Sequence, residues 1–155
     1  MSEDRWYFAY GSNLCIDRKE RRTGRIRSAR PCRLEGYRLA FDKRDNKGTV
    51  FANIVADSSE TVLGVVYLCC PVAIKELDRY EGVSGGHYEH HSVEVITHDG
   101  DRISALTYVA GADHVCEEGK PSAEYLGHII SGAIYHGLSQ EYILNVERLA
   151  MSCES

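Results

Sequence analysis

Short apolar runs separated by turn signals constrain this chain more than any other feature. Residues 6–10, 32–41, 51–55, 62–69, 88–97 and 102–109 each read as strands, rich in aromatic and β-branched side chains. Asp45-Asn46-Lys47-Gly48 and Asp57-Ser58-Ser59-Glu60 predict turns, and Asp99-Gly100 is a strong hairpin signal. Helical spacing occurs at 14–22 and at 71–80, where Pro71 suits the first helical position and Ile74 and Leu77 lie three apart. It returns twice at the end. Ser122 caps a helix carrying Leu126, Ile129, Ile130, Ala133 and Ile134, which Gly137 closes; Ser139 caps a last one with Tyr142, Ile143, Val146 and Leu149. Consecutive hairpins with few internal helices predict an α+β domain. Its antiparallel or mixed sheet curls toward a barrel and is not doubly wound.

The 155 residues suit one domain, spanning 1–155. Apolar residues at 43% and charged ones at 26% exclude wholesale disorder, collagen and coiled coil. No apolar run reaches the ~20 residues of a membrane span, and the acidic start lacks the pattern of a signal peptide. Six cysteines, two of them adjacent at 69 and 70, contain no CxxC. Free thiols in a reducing cytoplasm are the expectation. The net charge of -5 hides an asymmetry, since residues 1–48 hold 13 Lys+Arg against 7 Asp+Glu. A nucleic-acid surface is one reading of that segment. The preferred one makes Arg18, Lys19, Arg21, Arg22, Arg25 and Arg27 a solvated helix face and loop.

Three segments carry candidate chemistry. Tyr10-Gly11-Ser12-Asn13-Leu14 ends a strand and opens a helix. It either offers free backbone amides to an anion such as a carboxylate, or merely caps the helix. Glu81 ends the helix at 71–80, where the dipole disfavours a carboxylate and raises its pKa. That suits a general acid/base, although an arbitrary Glu is a solvated charge, as Glu76 and Asp78 are expected to be. His87-Tyr88-Glu89-His90-His91 invites a metal. Strand alternation divides it between two faces, which favours a polar edge strand. No phosphate loop, GxGxxG or GxSxG is present.

Taken together, these segments resemble the γ-glutamylcyclotransferase-like (AIG2-like) superfamily. Residues 7–14, Tyr-Phe-Ala-Tyr-Gly-Ser-Asn-Leu, resemble its N-terminal signature. Residues 33–41, 51–54 and 63–67 resemble the next strands, and Leu77-Asp78 through Glu81-Gly82-Val83, Gly86 and Tyr88 the segment with the catalytic Glu. Residues 121–125 resemble the start of the penultimate helix. The extent is most similar to γ-glutamylcyclotransferase proper. His87, Glu89, His90 and His91 depart from the pattern, in which apolar residues are commoner.

The resemblance implies a small mixed, mostly antiparallel β-barrel with surrounding helices. It implies a transferase- or lyase-type reaction of glutathione metabolism, converting a γ-glutamyl amino acid or amine to 5-oxoproline and the free amine. Glu81 is then the acid/base, and the amides of residues 11–14 hold the substrate's α-carboxylate. Tyr10, Tyr88 and Tyr125 supply ring walls or hydroxyls. No metal or other cofactor is implied, and the partner is a small molecule rather than nucleic acid or membrane, with room for a homodimer. The alternative is a non-catalytic module binding γ-glutamyl or carboxylate ligands on the same fold.

Overall fold

The computed structural model describes residues 3–153. Met1, Ser2, Glu154 and Ser155, the ends of the expected 1–155 domain, lie outside the described residues. Among the described residues there are five strands: β1 (Arg5–Ala9), β2 (Ala29–Arg44), β3 (Val50–Cys69), β4 (Tyr88–Thr97) and β5 (Arg102–Ala110). They form a closed barrel in the order β1-β3-β2-β4-β5. The seam between β1 and β5 is parallel, through Tyr7 opposite Leu106, and the other pairings are antiparallel. The α+β barrel read from the sequence is therefore observed.

Alternation sets the inward faces. Val93 and Val95 are buried while Glu94 between them is exposed. Phe8, Phe41, Val62, Val66 and Leu106 fill the core with almost no exposure. Among the described residues four α-helices surround it: α1 (Ile16–Thr23), α2 (Pro71–Tyr80), α3 (Ala123–Tyr135) and α4 (Gln140–Ser152). The last two are capped as expected, with Ser122 Oγ accepting from the Tyr125 amide and Ser139 Oγ from the Tyr142 amide, both at 3.1 Å. The apolar faces bury Ile129 and Ala133 of α3 and Ile143, Val146 and Ala150 of α4, whereas Ile134 is exposed.

Two expectations are corrected. The strands expected at 51–55 and 62–69 are one strand, β3, so the described residues form five strands rather than six. Asp57 does make a local turn, its Oδ1 accepting from the Ser59 amide at 3.1 Å and the Ser59 hydroxyl at 2.8 Å. The result is a bulge and not a reversal: Glu35 pairs with Thr61 and Tyr37 with Ala56, so four residues of β3 stand opposite Gly36. The first helix begins later than residue 14, because Ser12–Leu14 forms a separate 3-10 turn.

Among the described residues no helix is long and apolar enough to cross a membrane. All six cysteines are free, and burial pushes the Cys32 thiol up to about 12. The three histidines of the 87–91 segment take different partners. His90 Nε2 meets Asp78 Oδ1 at 2.6 Å, His91 Nε2 meets the Tyr37 hydroxyl at 3.0 Å, and His87 Nδ1 meets Lys43 Nζ at 3.0 Å. Among the described residues no group of His, Cys, Asp or Glu converges as a metal would need. The edge reading holds for the first part of β4, which pairs with β5 throughout but with β2 only at Ile96 and Thr97.

Candidate active site

Helix geometry aims Glu81 inward. Ile74 and Leu77 are buried on one face of α2, and Glu81 follows Leu77 by four residues, one turn further along the same stripe. The Glu81 amide still donates to the Leu77 carbonyl at 2.8 Å. Gly82, in the left-handed conformation at φ 65°, then turns the chain away. Glu81 thus borders a cavity of about 260 Å³. Burial raises its pKa, opposed by Arg22, Lys43 and Arg18 and by a hydrogen bond from Asn13.

The turn after β1 faces the same cavity. Its carbonyls point into the protein: the Tyr67 hydroxyl reaches those of Asn13 (2.8 Å) and Leu14 (3.3 Å), and His136 Nε2 lies 3.1 Å from that of Leu14. The Leu14 amide donates to the Gly11 carbonyl at 3.0 Å. Ser12 and Asn13 open the turn, and their amides have no acceptor among the described residues. Gly11, Ser12 and Asn13 line the cavity; Leu14 is fully buried and does not.

The Asn13 side chain joins turn and carboxylate. Its Nδ2 donates to Glu81 Oε1 (3.3 Å) and to the Tyr7 hydroxyl (3.0 Å), while its Oδ1 accepts from Arg22 Nη1 (3.2 Å). Arginine has no acceptor, so the amide can face only this way.

The three tyrosines named from the sequence all line the cavity but differ in what they offer it. The Tyr10 hydroxyl donates to the Tyr108 carbonyl and the Tyr88 hydroxyl to the Ala52 carbonyl, each at 2.6 Å. Their hydrogens are engaged and their rings are walls. Tyr125 instead accepts from the Ala52 amide at 3.0 Å, which leaves its own O–H free. Burial raises all three pKa values, that of Tyr125 to about 12, so the hydroxyls stay protonated at neutral pH.

The basic segment is not the solvated face expected of it. Arg18 and Arg22, four apart on α1, line the cavity; Arg18 Nε donates to Ser12 Oγ at 3.1 Å, and Arg22 stacks over the Tyr80 ring at 4.9 Å. Lys19 is buried and bonds Thr23 Oγ1 at 2.6 Å. Arg21 and Arg25 are exposed, and Arg27 pairs with Asp4 at 2.7 Å. Asp78 is likewise no plain surface charge, because its Oδ1 accepts from the Tyr108 hydroxyl at 2.6 Å besides meeting His90. Glu76, as expected, makes only an exposed pair with Arg79.

Residues 61–146 match the AIG2-like family, a span that includes Glu81, Tyr88 and Tyr125. The chain is 33% identical to mouse γ-glutamylcyclotransferase over 141 residues, covering 88% of this chain and 73% of the relative. The chain belongs to the γ-glutamylcyclotransferase/AIG2-like superfamily. The human γ-glutamylcyclotransferase is 32% identical over the same length and coverage. A solved γ-glutamyl cyclotransferase superposes with a TM-score of 0.83 at 29% identity, over 98% of this chain and 89% of its own. The barrel and its surrounding helices are thus the fold of this superfamily.

Sequence reading missed Tyr7, Arg18, Arg22, Lys43 and Tyr108 as cavity residues. For Arg18 and Arg22 a signal existed, since their spacing puts them on one helix face beside the glycine turn. Lys43 and Tyr108 sit in β2 and β5 and share a cavity with the turn because of how the barrel is assembled.

Proposed function

We propose that this protein is a γ-glutamyl cyclotransferase, converting a γ-glutamyl amino acid or amine to 5-oxoproline and the free amine. The observation that carries this reading is the shared cavity of the residue 11–13 turn and Glu81, linked through Asn13. The amides of Ser12 and Asn13 would receive the α-carboxylate, and the Tyr125 hydroxyl would donate to a substrate oxygen. The substrate's α-amine then lies beside Glu81. Ionised Glu81 takes a proton from the α-ammonium, and the freed amine attacks the γ-carbonyl to close a five-membered ring. Collapse of the tetrahedral adduct breaks the bond to the leaving nitrogen, which Glu81 protonates. Two protons pass in all from attacking to leaving nitrogen, and none is gained or lost.

Ring closure is intramolecular, so holding the substrate folded supplies most of the acceleration. The raised Glu81 pKa makes its carboxylate a stronger base than an exposed Glu. The test is incubation with a panel of γ-glutamyl amino acids and amines while 5-oxoproline is measured. Turnover by the wild type and a loss of 100-fold or more in Glu81→Gln are expected. Equal turnover by the two proteins would sink the Glu81 mechanism. Binding without turnover would instead identify a ligand-binding module.

A further inference from the structure

Lys43 is a buried cation with no carboxylate in contact, although those of Asp45 and Glu81 act on it from farther off. Its residue exposure is 3%, and among the described residues no Asp or Glu oxygen lies within 4.0 Å of its ammonium. Its one hydrogen-bond partner is His87 Nδ1 at 3.0 Å. Otherwise the ammonium faces the rings of Phe51 (5.0 Å) and Tyr88 (5.1 Å). An ammonium has three donors, and this one uses a single donor on a nitrogen acceptor. Buried charges are ordinarily paired, so this arrangement is costly unless a ligand completes it.

The cavity as a whole has the same imbalance. Arg18, Arg22 and Lys43 line it against the carboxylates of Glu81 and Asp45. Asp45 is further occupied by its own hairpin, accepting from the Lys47 and Thr49 amides at 2.9 Å. One positive charge is left over. A γ-glutamyl group bears one carboxylate and one ammonium and leaves that charge uncompensated. A leaving group with a carboxylate of its own neutralises it.

We propose that Lys43 is a specificity-determining residue that receives a carboxylate on the leaving group, so that γ-glutamyl amino acids are preferred over γ-glutamyl amines. The proposal rests on the cyclotransferase reading and narrows its substrate class. His87 holds the ammonium from one side, and the Phe51 and Tyr88 rings keep water from the other, which strengthens the pair it forms with substrate.

The experiment compares γ-glutamyl-alanine with γ-glutamyl-alaninamide, which differ in that carboxylate alone. The wild type should favour the acid by about tenfold to a hundredfold in kcat/KM. Lys43→Met should collapse that ratio toward one, and Lys43→Arg should keep most of it. Calorimetric titration of both compounds into wild type and Glu81→Gln reads the same preference without turnover. Equal handling of acid and amide by the wild type overturns the Lys43 assignment while leaving the cyclotransferase reading intact. So does a Lys43→Met variant that folds and retains the full ratio. Absence of turnover with a preserved binding preference for the acid overturns the reaction and supports the subsite. Binding of neither compound overturns both.

Discussion

Arg22 decides which end of the Asn13 amide Glu81 meets. By taking Oδ1 at 3.2 Å it leaves Nδ2 to face the carboxylate at 3.3 Å. It is also the strongest of the charges that hold the Glu81 pKa down against burial. Arg22→Met frees the amide to rotate and removes that charge. On the proposed mechanism kcat/KM falls about tenfold. The Glu81 pKa rises further, so the acid limb of the pH profile moves to higher pH. A limb that stayed in place would separate Arg22 from Glu81 ionisation.

Glu81 should also cost stability. Its pKa is raised in the folded protein, so the folded state binds the proton more tightly than the unfolded chain does. Its contribution is therefore most favourable below the ordinary Glu value of about 4.3 and is lost as pH rises through the folded pKa. Glu81→Gln removes that loss. Melting curves across pH 4 to 8 should show the variant gaining on the wild type as pH increases. A constant gap would contradict the buried carboxylate.

Asp78 ties α2 to the barrel wall just before Glu81. Its Oδ1 accepts from the Tyr108 hydroxyl and contacts His90 Nε2, both at 2.6 Å. Asp78→Ala should destabilise by about 1–3 kcal/mol, because the buried Tyr108 loses the acceptor of its hydroxyl. If the tie positions Glu81, kcat falls more than KM rises. Asp78→Asn, which keeps the acceptor oxygen, should restore most of both. Chemical denaturation and steady-state kinetics read the two effects separately.

α3 contains a built-in comparison. A side chain at Gly132 would overlap the Leu14 carbonyl, against which α3 packs, whereas one at Gly127 would meet nothing within 4 Å. Gly132→Ala should cost about 1–3 kcal/mol and disturb the residue 11–14 turn. Gly127→Ala should stabilise by about 0.5–1 kcal/mol through helix propensity. Similar melting shifts in the two variants would refute that packing.

Local signals carried much of this structure. Pro71, Ser122 and Ser139 begin helices where their chemistry requires, and Asp99-Gly100 separates β4 from β5. The failures have a common origin. Asp57-Ser58-Ser59-Glu60 contains real turn chemistry, but strand pairing on both sides makes it a bulge. Arg18 and Arg22 look solvated until a barrel stands beside α1. Glu81 is legible from its place at the end of the 71–80 helix and from the family pattern, although burial, not the helix dipole expected there, is what raises its pKa. Nothing near Lys43 in the chain indicates that Phe51, Tyr88 and His87 will surround it.

The parallel seam between β1 and β5 has a consequence for biosynthesis. Tyr7 and Leu106 lie 99 positions apart, so the barrel cannot close until most of the chain has left the ribosome. The glycine turn is made among the first residues and must wait for the strand that supports it and for Tyr125 beyond. Such long-range closure slows folding, and a nascent chain halted before β5 would display an unpaired, aromatic β1 edge. Assembly of the cavity is therefore a late event, and chaperone dependence should track the release of residues 102–110.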